Sequence, residues 1–165
     1  MKIGRLFAIS MLSVTALAIL PAAQVVIEQV RAVNDKAEAI KTVEAFGAVL
    51  LFAQDVVGHR APYITPIFQE GPASPAQLEG VRKIRQSADA SFAKARAQLA
   101  NVSDSEEIMR SLEQASSKLS EILSKVDPAL NVPLNARDQA VIKGFLPGVT
   151  QVALAIEPIL NRLQN

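Results

Sequence analysis

SDSEEIMRSLEQASSKLSEILSKVDP, residues 103–128, carries Ile108, Leu112, Ala115, Leu119, Ile122 and Val126 at alternating spacings of four and three. That strict heptad seam puts one apolar stripe on one face of a helix and leaves polar residues on the rest. Ser103 to Glu106 has the composition of a helix start, and Pro128 closes the element. A helix with one such stripe must be covered by other elements, and the sequence on either side supplies them.

Upstream, Ser74-Pro75-Ala76-Gln77 reads as a capping box with proline in the first turn. It opens a helix whose stripe is Leu78, Val81, Ile84, Ala88, Phe92, Ala95 and Leu99. Downstream, Asn135 reads as the cap of a last helix that buries Val141, Phe145, Val149, Val152, Ile156, Ile159 and Leu163, with bends expected at Pro147 and Pro158. Ahead of both, Val26, Val30, Val33, Ala37 and Ile40, then Val43, Phe46, Leu50, Ala53 and Val57, recur at helical spacing. This first helix should end near His59, because Pro62 disfavours helix at Ala61, and 61–73 reads as a loop. Gly47 is read as a close-packing or flexible point. Short connections between four amphipathic helices, about 28–60, 75–101, 104–126 and 136–165, predict an all-α, up-down-up-down four-helix bundle.

Half the residues are hydrophobic but only 4% are aromatic, a mix that favours helices over a β-sandwich. A net charge of +1 gives no field to attract nucleic acid, so no nucleic-acid partner is expected. The absence of cysteine excludes disulfides, thiol catalysis and thiolate metal sites. With one histidine and no tight carboxylate cluster, no metal is expected. No Ser/His/Asp arrangement and no glycine-rich phosphate loop stands out, so no catalytic residue, no cofactor and no enzymatic activity are expected.

Leu6 to Ile27 contains no charged residue and would extend about 33 Å as a helix, enough to cross a hydrocarbon core. Lys2 and Arg5 precede it. The positive-inside rule then puts the N-terminus in the cytoplasm and residues 28–165 outside, in the periplasm of a bacterial inner membrane. Domain organisation follows: 1–27 a cytoplasmic start and transmembrane helix in contact with lipid through residues 6–27, and 28–165 an extracytoplasmic bundle. The rival reading of the same run is a cleaved signal peptide.

The layout resembles the N-terminal part of bacterial methyl-accepting chemotaxis proteins, in which a membrane helix leads into an extracytoplasmic four-helix bundle. The corner Gly58-His59-Arg60-Ala61-Pro62-Tyr63, followed by an Ala- and Arg-rich helix, is similar to a Glu-Arg-Gly-Pro-like corner in a subset of these sensors and in nitrate- and nitrite-sensing helical domains. Arg60 and Pro62 match it; His59 replaces the acid and Ala61 the glycine. The resemblance implies a ligand-sensing domain of a membrane-bound signal transducer, most closely a chemotaxis receptor. It also implies a homodimer, and a second membrane span and output domain beyond these residues. Input domains of histidine kinases and diguanylate cyclases share this form. A membrane-anchored structural or adaptor bundle that binds a partner protein is the reading from a different class.

In a bundle of this order, His59, Arg60, Tyr63, Arg82, Arg85 and Arg137 gather at the membrane-distal end. Arginine forks suit carboxylate, phosphate or nitrate, which makes a small anionic ligand one expectation. Sensing through a periplasmic binding protein is another. Solvated helix ends, balanced by nearby carboxylates, are the plain alternative.

Overall fold

The computed structural model describes the backbone of residues 3–164 and the side chains of residue 29 and residues 32–164. It is all-α, with no strand among the described residues. The helices are α1 (Ile3–Gly58), α2 (Arg60–Phe68), α3 (Pro75–Leu99), α4 (Glu106–Val126) and α5 (Gln139–Gln164), with 3-10 segments at Asp127–Asn131 and Leu134–Ala136 before α5. The chain divides into two units, residues 1–40 and 41–165. The expected anchor at 6–27 falls on side chains outside the described residues. Among the described residues one helix, Gln139–Gln164, is long and apolar enough to cross a membrane, by length and composition only.

Of the α4 seam, Leu112, Ala115, Leu119 and Val126 are buried and Ile108 and Ile122 pack beside them, while Leu123, outside the expected stripe, is buried as well. It lies along α5, whose Ile142, Phe145, Val149, Val152, Ile156, Ile159 and Leu163 are buried in the same core. Val141, assigned to the core from sequence, packs at its edge while Ile142 is buried. Gly148 lets α5 approach closely, since a Cβ there would lie 3.0 Å from the Ile122 Cδ1. The helix runs unbroken through Pro147 and Pro158. The capping box of α3 is present: the Gln77 amide donates to Ser74 Oγ (3.3 Å) and the Ser74 amide to Gln77 Oε1 (2.7 Å).

Four local expectations are corrected. The chain does not enter a loop at Ala61; it forms α2 as far as Phe68. Pro62 sits in the first turn of that helix, where its missing N–H is no loss, and His59 keeps right-handed helical dihedrals between α1 and α2. The α1 stripe is displaced: Ala45, Ala48, Val49, Phe52 and Val56 are buried, whereas Val43, Leu50 and Val57 are 69%, 37% and 43% exposed. Gly47 meets no neighbour within 4 Å of a Cβ, so it permits no close packing here. At the helix starts, α4 begins at Glu106, past the expected Ser103, with the Ser105 hydroxyl donating to the Leu99 carbonyl (2.7 Å) and making no cap bond, and Asp138, not Asn135, accepts from an α5 amide, that of Ala140 (2.8 Å).

The turn after α2 is tied to the turn after α4. The Ala73 amide donates to the Leu130 carbonyl (2.7 Å) and the Leu134 amide to the Glu70 carbonyl (2.9 Å).

Candidate functional site

Of the residues singled out from the sequence, His59, Arg60, Tyr63, Arg85 and Arg137 lie around the α1–α2 corner, each with partners of its own in the chain, and Arg82 stands apart on α3. Arg137 is 4% exposed. Its Nε donates to the Val132 carbonyl (2.9 Å), Nη1 to the carbonyls of Pro66 and Ile67 (2.6 Å each) and Nη2 to that of Gly71 (2.7 Å). The guanidinium thus satisfies carbonyls at the end of α2 that have no partner within the helix. Arg85 pairs with Asp127, and Arg82, exposed, pairs with Glu79 on its own helix. Arg60 donates from Nη2 to Thr150 Oγ1 (2.6 Å), which joins the corner to α5, and its Nε is buried without a partner.

Tyr63 is fully buried. Its hydroxyl donates to Asp127 Oδ1 (2.7 Å), and burial pushes the phenol up to about 12, so it remains a donor at any ordinary pH. Asp127 therefore receives both the Tyr63 phenol and the Arg85 guanidinium, as one of the carboxylates that balance the arginines of this end. The Tyr63 ring packs against Phe145 (5.0 Å between centroids) and His59 (6.2 Å).

His59 is also fully buried. Its Nδ1 lies 2.8 Å from the Asp55 carbonyl oxygen. A carbonyl only accepts, so Nδ1 carries the proton and the neutral ring leaves Nε2 as a bare acceptor. Nε2 is buried and has no partner in the chain. Burial, the largest influence, holds the ring below its usual 6.5; Arg85 lowers it further, while the bond to the Asp55 carbonyl and the carboxylates of Asp55 and Asp89 act in the opposite direction.

A depressed histidine binds fewer protons folded than unfolded. Its contribution to stability is therefore complete above the unfolded value of 6.5 and is lost as the pH falls towards the folded one. This is the single histidine of the chain, and most carboxylates titrate below about pH 5. Urea unfolding between pH 7 and 5 should show stability falling with pH, and His59→Gln should flatten that slope. An unchanged slope in the variant would put the ring in solvent.

Among the described residues no group of three or more His, Asp or Glu is placed to hold a metal ion. Comparison with protein families, with curated proteins and with solved structures yields no match for the chain.

Proposed function

We propose that the chain is the extracytoplasmic, ligand-sensing region of a membrane-bound signal transducer of the chemotaxis-receptor kind. In this reading residues 6–27 anchor it in the membrane, and α1, α3, α4 and α5 form an up-down-up-down bundle that pairs with a second copy. The observation that supports it most is the second apolar face of α1. Val43, Leu50 and Val57 are exposed at intervals of seven, and Ile64 of α2 continues the spacing at 42% exposure. Further up the same helix Val33 and Ile40, 65% and 60% exposed, are also seven residues apart. Seven is the repeat that keeps two long helices in register contact, and a parallel pair of receptors would cover this face with its own copy.

The chain lacks cysteine, so single introduced thiols report without background. In membranes, Val43→Cys should give disulfide-linked dimers, while Arg110→Cys, on the exposed side of α4, should stay monomeric yet react with a membrane-impermeant thiol reagent in intact cells. Failure of Val43→Cys to cross-link removes the dimer; protection of Arg110→Cys in intact cells removes the extracytoplasmic placement.

The adaptor reading draws on a different feature. Two clefts of about 330 and 350 Å³ open along the α4–α5 seam, both reaching Lys118. A bundle that holds a partner protein there, without a ligand, would show the labelling result and no cross-link.

A further inference from the structure

We infer that a cleft between α1, α3 and α4, with the His59 ring at its base, binds a small organic cation carrying N–H donors, about the size of methyl- or ethylammonium. The inference concerns binding alone and stands whether or not the chain signals. Cleft walls come from Phe52, Ala88 and Leu119, with Arg85, Asp89, Ser116 and Ser120 as further polar lining. Its volume is about 40 Å³. One water position needs roughly 10–15 Å³ measured in this way, so the space suits a guest of about three non-hydrogen atoms.

Three observations select the chemistry. First, the Nε2 atom of His59 is an acceptor, because Nδ1 donates to the Asp55 carbonyl (2.8 Å). A buried acceptor calls for a donor, and Nε2 has none within the chain. Second, the surrounding charge is negative. Of the charged groups that line the cleft beside His59, Arg85 is already paired with Asp127, which leaves Asp89 unopposed, and the Asp55 carboxylate also acts on the ring. That balance disfavours an anion and favours a cation. Third, the acceptors lie at two depths. Nε2 is at the base, whereas the side of the cleft formed by Asp89 and Ser120 is exposed. An ammonium group can donate one N–H inward and its other two towards the carboxylate and one of the hydroxyls of Ser116 and Ser120. A bound water would satisfy Nε2 but would leave the carboxylate without a counter-charge.

The single histidine makes the test direct. The full chain in detergent micelles, labelled with nitrogen-15 in histidine only, gives one imidazole to observe. At pH 7.5 the spectrum should be that of the Nδ1–H tautomer, with Nε2 unprotonated. Methylammonium chloride should move the Nε2 resonance saturably. Tetramethylammonium, which has the same charge and no N–H, should not, and neither should sodium nitrate. Asp89→Asn should weaken methylammonium binding about tenfold, as expected for the loss of one charge-assisted contact. Ser120→Ala, at an exposed position that the fold does not need, should weaken it by a smaller factor and serves if Asp89→Asn fails to fold. The inference is overturned by an Nε2–H tautomer or by the absence of a saturable shift. It is overturned equally by matching responses to the two ammonium ions, which would be charge screening. Undiminished binding in the folded variants would place the cation elsewhere and has the same force.

Discussion

Arg137→Ala should lower folding stability by about 3–5 kcal/mol, the range for removing one partner from a buried charged network. The guanidinium reaches four carbonyls, those of Pro66, Ile67, Gly71 and Val132. Alanine leaves all of them facing the void of the side chain, and water has little access at a site 4% exposed. Arg137→Lys should recover less than half of the loss, because a point-like ammonium cannot present donors in three directions from one plane. Arg82→Ala is the contrast: its guanidinium is exposed and bonded only to Glu79 on the same helix, so about 0.5 kcal/mol or less is expected. Urea unfolding of the three variants measures all of this. An Arg137→Ala effect as small as that of Arg82→Ala would mean that the guanidinium is solvated.

Phe145→Ala should also cost about 3–5 kcal/mol, as a large-to-small change in a packed core. The ring is 1% exposed and packs on Tyr63. Its loss opens a cavity beneath α2, the helix whose end Arg137 holds. At about 2–4 °C per kcal/mol for a chain of this size, the thermal midpoint should fall by roughly 6–20 °C. Because the two rings share one contact, Phe145→Ala combined with Tyr63→Leu should cost less than the sum of the single changes. Additive losses would show that the rings do not depend on each other.

What the sequence disclosed, and what it hid, follows from how one-sided each segment is. In α4 charged residues flank the seam, so only one face can go inward, and Leu112, Leu119 and Val126 are buried as the spacing required. In α1 the run from Ala45 to Gly58 has one charged residue, Asp55. An apolar helix satisfies several stripes at once, so periodicity had no means of choosing Phe52 over Leu50. The α1–α2 corner was hidden by Pro62, which breaks a helix in its interior and begins one at its first turn; local sequence does not say which. Site residues were legible by neighbourhood and not by role. His59, Arg60, Tyr63, Arg85 and Arg137 do lie around one corner, but an arginine bound to carbonyls and one bound to a ligand have the same letter. Tertiary distance alone separates Arg137, engaged with four carbonyls, from Arg82 in solvent.

The tie between the two turns has a mechanical consequence. The bonds from Ala73 to Leu130 and from Leu134 to Glu70 join connections that lie some sixty residues apart in sequence, so α3 and α5 start from one clasped point. The opposite end of α3 continues through Ala100–Ser105, where Asp104 takes a left-handed backbone (φ 53°). A helix the length of α3 is a lever of about 37 Å. Rotation by roughly 5° about the clasp would carry its far end about 3 Å, against the packing of Ala95 and Leu99, both buried in the core. The clasp at one end and the buried Ala95 and Leu99 at the other therefore hold α3 at both ends.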